Sequence, residues 1–593
     1  MSTLRPRHSR RVAGRVFTVV LGAVLLVVVT SAAWIGIRAS LAQSHLSEAQ
    51  QSAAELPTLV STDPAAAATA ADALSEDTSA ARELTSDAIW RTAESLPWIG
   101  PQLNAVSVLA RSIDDVASDA LGPLIDVAGT IDLDSFTPRD GAIDVTPFIE
   151  MRDAAAIAAD GTRRAAASVA ALDRAALVGA VRTPFDEVSS LLDGVTVATE
   201  SLANASVLLP RMLGADGPRD YLVIVQNNAE WRSLGGNPGA MVLIHTENGA
   251  MTLTEQDSTG GFPSYRESVL PLDDDQLAVT GESPGMWFQN VTQVTDFAVA
   301  AQLANEFWTR KYGTPVDGVI SIDPVALSYL LEATGPVTVA TGDVLDSENA
   351  ARLLLNEAYL RYPTGGEADV FFAASAAAVF DAISAGTAQP GPLLEALARA
   401  GEERRLLIWS AHAEDQAVLG GTTLQGGLPV TDASATRFGV YVNDGTGSKM
   451  DYYARLNTTA AWCGPLSDET NAAALRVTIK NEAPADAATS LPPYVHGDGI
   501  FGVPAGTART VAYIYLPEGA SILRSRATES RTIDSHMHAG REVITWSVDL
   551  PPGGSASFDF TVETPFTDVL DVVRTPTLNV NETEDISISC EFA

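Results

Sequence analysis

The stretch "NNAEWRSLGGNPGAM", Asn227 to Met241, follows directly on the apolar hexapeptide "YLVIVQ", Tyr221 to Gln226. A strand-like run breaks into two amides, an acid and an arginine, passes three glycines, and becomes apolar again at "AMVLIHT". Gly235, Gly236 and Gly239 let the backbone turn tightly or approach another group closely. Open α/β sheets bind ligands at the ends of their strands. The stretch therefore reads as the first strand-end loop of an α/β domain, with Asn227, Asn228, Glu230, Arg232, Gly235 and Gly236 as candidate ligand-binding residues. Arg232 is the strongest of them.

Outward from this stretch, residues 216–435 alternate strand and helix patterns, which indicates a layered α/β domain. "YLVIVQ", "AMVLIHT" and "MTLTEQ" have period 2, and "ENG" (Glu247–Gly249) is a turn signal between the last two. "QVTDFAVAAQLANEFWTRKYG" is helix-like and "GVISIDP" strand-like; "PVALSYLLEATG" is helix-like again. After "PVTVA", a short strand, come the helical "SENAARLLLNEAYLRYP" and "EADVFFAASAAAVFDAIS". The tract "PGPLLEALARAGEERRLLIWSAHAEDQAVL" closes the domain.

Residues 436–593 are all-β in character. "FGVYVND", "YYARLNTTAAW", "AALRVTIKNEA", "RTVAYIYLP", "EVITWSVDLP" and "SASFDFTVETP" are separated by Pro- and Gly-rich turns. Their even spacing suggests an immunoglobulin-like sandwich. The only two cysteines, Cys463 and Cys590, both fall here, and an even count outside the cytoplasm predicts a disulfide.

The other end of the chain carries a targeting signal. Arg5, Arg7, Arg10, Arg11 and Arg15 form a basic tail over residues 1–15, followed by the uncharged run Val16–Ile37. At about 1.5 Å per residue its 22 residues match a hydrocarbon core of about 30 Å. The run exceeds the roughly 7–15 residues of a signal-peptide core, which favours a membrane anchor, although "SLA" before Gln43 has small residues suited to cleavage. Either reading places the bulk of the chain outside the cytoplasm, with the arginines inside. Residues 39–215 are alanine-rich with helical spacing and read as a helical bundle or stalk above the membrane. Within it Trp90 and Trp98 are expected to pack as core aromatics rather than as membrane-interface anchors.

A formal net charge of −37 excludes nucleic acid as a partner, since that binding scales with the phosphates neutralised by Lys and Arg. "NDGTGSKMDYY" (Asn443–Tyr453) lacks the order of a phosphate loop and reads as a hairpin joining the α/β and β domains. "DSHMH" sets Asp534, His536 and His538 on one face of a strand, a spacing that suits a metal but is commonly an exposed strand face. Neither G-x-S-x-G nor H-E-x-x-H occurs, which disfavours the hydrolases that carry those signatures.

"DYLVIVQNNAEWRSLGGNPGAMVLIHTENGAMTL" resembles the hallmark of domain of unknown function 4012, a mostly actinobacterial membrane family without an established activity. "PVDGVISIDPVALSYLLEATGPV", "NAARLLLNEAYLRYP", "LPWIGP" and "TGSKMDYY" extend the likeness. The element order across 218–385 also resembles the LytR-CpsA-Psr family, whose membrane-anchored members transfer glycopolymers from polyprenyl-pyrophosphate carriers to the cell wall. That resemblance implies catalytic candidates Arg232, Asp257 (with Ser258) and Arg361, and a Mg²⁺ site near Asn228 or Glu230. The departures are as specific: Gln256 replaces an arginine, Gly-Asn-Pro-Gly replaces R-S-D-T, and Phe371 and Phe372 stand where polar grip is expected. Pyrophosphate transfer needs positive charge and a metal, and this chain has lost much of both.

The sequence thus predicts a multidomain, single-pass cell-membrane protein of the envelope: anchor, helical stalk, α/β domain, β-sandwich. A non-enzymatic scaffold or glycan- or protein-binding role is expected first. A phosphotransferase attaching lipid-linked glycopolymers is the alternative. A cell-wall glycopolymer, a polyprenyl-linked lipid or an envelope protein is the expected partner.

Overall fold

In a computed structural model of the protein, the described residues are 9–62, 64–128, 138, 141–362, 365–467, 469–579 and 590. The first eight residues of the basic tail lie outside that set. The chain divides into two units, 1–132 with 146–210, and 133–145 with 211–593.

The first unit is helical: α1 (Ser9–Thr62), α2 (Pro64–Leu84), α3 (Ala88–Ala93), α4 (Gly100–Asp114), α5 (Gly122–Ala128), α6 (Thr146–Ala170) and α7 (Gly179–Met212). The apolar run lies inside α1, which begins in the basic tail at Ser9 and continues through Thr62. Its portion Leu25–Glu55 is long and apolar enough to cross a membrane and is hardly buried by the rest of the protein. Alanines at three- and four-residue steps let the following helices approach closely; Ala105, Val108, Leu109, Ala165, Val169, Phe185 and Leu192 form one cluster. Thr162 and Thr199 hydrogen-bond at 2.8 Å between α6 and α7. Asp87 caps α3 by accepting from the Trp90 amide at 2.8 Å.

Trp90 is fully buried, the core aromatic that was expected, and its Nε1 donates to the Leu103 carbonyl. Trp98 corrects the expectation of a core aromatic: it is 92% exposed. Pro97 and Pro101 hold a turn between α3 and α4, where Trp98 adopts φ 69° and its ring has no helix face to pack on.

The second unit begins with a five-stranded mixed sheet. It contains β1 (Arg219–Arg232), β2 (Gly235–Glu247), β3 (Ala250–Ser258), β4 (Gly318–Ile322) and, beyond the short hairpin β5 (Val337–Thr338) and β6 (Val344–Leu345), β7 (Leu406–Ser410). The order is β3-β2-β1-β4-β7; only β1 and β4 run parallel. Strand β7 is the "LLIWS" of the tract that closes the domain, where the sequence reading assigns no strand. The β2–β3 turn is Asn248–Gly249, both at positive φ, as the "ENG" signal predicts. Helix Phe297–Tyr312, capped by Asp296 and ended by left-handed Gly313, buries Phe297, Phe307 and Trp308 with Leu222, Ile224, Met241 and Val319 of the sheet. Helices Pro324–Thr334 and Pro390–Glu402 pack Val325, Tyr329, Leu330, Ala396 and Ala400 together with Ile322 and Leu406.

The strand-rich region has two further sheets: β12 (Ser521–Ala527), β15 (Ser555–Pro565), β10 (Thr470–Asn481) and β9 (Ala454–Pro465) in one, and β13 (Thr532–His538), β14 (Arg541–Leu550), β11 (Ala508–Tyr515), β8 (Ala435–Asp444) and β16 (Val569–Arg574) in the other. Alternate residues of both, among them Phe438, Val440, Leu475, Val477, Ile514, Trp546, Phe558 and Phe560, form one apolar cluster. Cys463 on β9 is bonded to Cys590, with Cα atoms 5.4 Å apart. The disulfide expected from the cysteine count is present.

Candidate functional site

The opening stretch does not form a free loop; it is the end of β1, and β2 starts three residues later. Pairing passes from Asn227 opposite Asn237 to Trp231 opposite Gly236, so Asn228, Ala229 and Glu230 are extra residues on one strand. Such a bulge bends the strand and re-aims its side chains. Gly236 is required here, because a Cβ would overlap the Asn227 carbonyl and approach the Asn228 nitrogen to 2.6 Å. Gln226 locks the hairpin, accepting from Gly236 N at 2.7 Å and donating to the Leu234 carbonyl and the Ser321 hydroxyl.

The bulge turns these side chains into the protein. Trp231 is fully buried and is part of the apolar cluster shared by the two strand-rich sheets. Its amide donates to Asp451 Oδ2 at 2.8 Å. Glu230 accepts from Arg232 at 2.5 Å and Asn237 at 2.8 Å on one oxygen, and from Lys449 on the other. All three charged side chains are at most 6% exposed. Lys449 also sits 5.1 Å from the Tyr494 ring centre and 5.8 Å from that of Tyr359. Asn227 donates to the Tyr359 hydroxyl. Asn228 donates to Asp323 and to the Pro576 carbonyl, both at 3.0 Å, while Arg405 holds Asp323 at 2.7 Å. Ser233 is held from both sides by Asn443 and Thr575.

Loop 443–453, read from sequence as a hairpin, is therefore the second half of this cluster: Asp444, Lys449 and Asp451 are buried in it. Burial pushes carboxyls up, but Lys449 and then Arg232 outweigh it at Glu230 and hold that group down to about 2. Lys449 is disfavoured as a cation by burial, yet Glu230 raises it above its ordinary value. Burial and then the charge of Glu230 push Asp444 up to about 6. Asp451, buried beside Asp444, is raised well above the usual carboxylate range. Two cations are thus balanced by one firmly ionised acid and a pair of acids that resist ionising together.

The cluster keeps some unpaired polar atoms. Asn228 Oδ1, Trp231 Nε1, Arg232 Nε, Asn237 Oδ1 and Asp451 Oδ1 meet no hydrogen-bond partner among the described residues. Ordered water is the usual partner of such atoms.

The Mg²⁺ site implied near Asn228 or Glu230 does not fit this arrangement. Both Glu230 oxygens are occupied by cationic or amide donors, and Asn228 turns its NH₂ toward an acid. Magnesium asks for several oxygen ligands, most of them water or carboxylate. The catalytic candidates have separate partners. Asp257 accepts from Lys311 and, at 2.7 Å, from the Tyr312 hydroxyl. Arg361 is half-exposed and bridges Asp343 and Glu357 at 2.6 and 2.5 Å. Of the "DSHMH" trio, His538 is buried and hydrogen-bonded to the Tyr515 hydroxyl at 2.6 Å, while Asp534 lies exposed. In the helical unit His45, Glu48 and Asp77 bring ligand atoms within 4.8 Å of one another; His45 and Asp77 already satisfy each other at 2.8 Å.

Residues 216–359 match the family described as protein of unknown function (DUF4012). No curated protein and no solved structure matches the chain. The DUF4012 segment runs from β1 to Tyr359 and so contains the bulge, Asp323 and the tyrosine that binds Asn227. Lys449, Asp444 and Asp451 lie beyond it. Lys449 had one signal in the sequence, being among only three lysines and set in a loop of small residues. Asp444 and Asp451 had none among 74 acids.

Proposed function

We propose that the protein is a non-enzymatic, membrane-anchored scaffold or binding protein of the cell envelope. In this reading the basic tail stays inside, the helical unit acts as a stalk, and the DUF4012 segment and an immunoglobulin-like sandwich act outside the cytoplasm. The observation that carries it is the internal neutralisation of Glu230 by Arg232 and Lys449. The charges that a pyrophosphate transferase would turn toward substrate are used here to join the α/β sheet to the strand-rich sheets. A binding surface then lies elsewhere on a unit made rigid by this joint. Expected contacts are an envelope protein, a cell-wall glycopolymer or a polyprenyl-linked lipid, in keeping with the distant LytR-CpsA-Psr likeness.

The test is to incubate the full chain, in detergent and in vesicles, with a polyprenyl-pyrophosphate-linked glycan and cell-wall acceptor. No transfer is expected, and cross-linking in intact envelopes should recover the same partner with Arg232→Gln as with the parent, provided the variant folds. Transfer that disappears in Asp257→Asn or Arg361→Gln would establish the transferase alternative instead.

A further inference from the structure

The helical unit exposes an apolar knuckle that the proposed scaffold role does not use. Leu96 (53%), Trp98 (92%) and Ile99 (55%) lie open between α3 and α4. Gln102 fixes the knuckle: its Nε2 donates to the Trp98 carbonyl at 3.3 Å and to the Ala176 carbonyl at 2.8 Å, and its Oε1 accepts from Val178 N at 2.9 Å. Val178, on that neighbouring turn, is itself 54% exposed. Trp98 keeps its left-handed φ of 69° although no described residue covers its ring. A bulky residue is disfavoured in that conformation, so the turn presents an aromatic side chain outward at a conformational penalty.

The level of this knuckle follows from the helix pairings. Helices α1 and α2 are antiparallel, with His45 bound to Asp77 and Arg38 donating to the Glu83 and Leu84 carbonyls. Helices α2 and α4 are also antiparallel: Ser75 meets Ser118 just past the end of α4, Thr78 meets Asp114, and Ala81 packs with Ala110. Helix α4 therefore runs in the direction of α1. Ala42, Ala81 and Ala110 pack in one cluster and mark a common height on the three helices. Gly100 lies ten residues before Ala110, about 15 Å lower. The same descent along α1 from Ala42 reaches Ala32, inside the uncharged run. Independently, Trp34 Nε1 donates to Asp87 at 2.8 Å, and Arg38 pairs with the same carboxylate at 3.2 Å. The start of α3 is thus tied to the end of the apolar segment.

We infer that the Leu96–Ile99 knuckle inserts into the interfacial layer of the bilayer that α1 enters, giving the helical unit a second membrane contact. The inference rests on reading α1 as a membrane anchor. Trp and apolar neighbours suit that layer, where one side is wet and the other apolar. A second attachment point beside the continuous helix α1 fixes the tilt of the unit on the membrane.

The test uses the full chain in phosphatidylcholine–phosphatidylglycerol vesicles. With both native cysteines in the disulfide, a spin label can be placed singly at Ile99→Cys, at Leu26→Cys within the apolar segment, and at Val197→Cys on exposed α7. Accessibility to oxygen, which concentrates in lipid, is compared with that to a water-soluble nickel chelate. The Ile99 label should favour oxygen several-fold relative to the Val197 label, as the Leu26 label does. A water-like Ile99 label beside a lipid-like Leu26 label overturns the knuckle insertion and leaves the anchor standing. Water-like readings at both remove the anchor and the inference with it. An Ile99 label closed to both reagents means packing against protein and likewise overturns the proposal.

Discussion

Lys449 donates to Glu230 in an interior where neither side chain is more than 6% exposed. The two residues are 219 positions apart, one on the bulge of β1 and the other in the loop after β8. Together with Trp231, whose ring sits in the strand-rich core, this pair makes the α/β sheet and the two β sheets interdependent. Removing one partner of a buried pair leaves an uncompensated charge, which typically destabilises by about 3–5 kcal/mol. Lys449→Met and Glu230→Gln should each lower stability by an amount of that order in chemical denaturation. The double variant should be less destabilised than the sum of the two, because it leaves no unpaired Glu230 or Lys449. Additive effects below about 1 kcal/mol each, the value of surface pairs, would contradict the assignment.

Gly236→Ala should destabilise by about 1–3 kcal/mol or more through forced backbone movement, since its Cβ would run into the bulge at Asn227 and Asn228. Gly239→Ala, whose nearest neighbours would be 3.9 Å away, is the control and should change stability by under about 1 kcal/mol. Denaturation midpoints of the two variants decide the point; equal midpoints would mean that the bulge is not where the hairpin is tight.

Asp444, pushed up to about 6, gives a pH signature. A carboxyl with a raised folded pKa contributes stability that is fully present below its unfolded value of 3.8 and is lost as pH rises through about 6. Glu230 works the other way: held down to about 2, it contributes stability above 4.5 that is lost as pH falls through 4.5 toward 2. Between pH 4 and 7 the parent should therefore lose stability relative to Asp444→Asn, by up to about 3 kcal/mol for a shift of this size. Parallel pH curves for the two proteins would show that Asp444 is not raised.

The alternation of apolar residues made β1, β2, β3 and β4 and, in the strand-rich region, β8, β9, β10, β11, β14 and β15 legible, because period-2 patterning reports which face is buried. The mostly exposed β12 and the edge strand β16 carry no such alternation and were not read. The Asn-Gly turn and the cysteine pair were legible for equally local reasons. The bulge was not. Gly235 and Gly236 announce a tight backbone, but the same glycines serve a ligand loop or a packed hairpin, and the outcome depends on what loop 443–453 brings to it from far along the chain. Arg232 shows the difficulty: an arginine beside glycines looks like an anion grip until Glu230, two residues away, is found turned onto it. Trp98 failed for the opposite reason. A tryptophan in an apolar, helix-patterned stretch is expected in the core, whereas the flanking prolines remove this one from any helix face.

The charges of Asn227–Met241 are sealed inside a structural joint. Carbodiimide labelling of carboxylates on the native full-length chain, mapped by mass spectrometry with a nucleophile too large to enter a packed core, tests it most directly. Glu230, Asp444 and Asp451 should stay unlabelled until the protein unfolds, while exposed Asp534 labels promptly. Native-state labelling of Glu230 at a rate comparable to Asp534, or its selective protection by a pyrophosphate-bearing lipid, would contradict the account and return the motif to the status of an open ligand site.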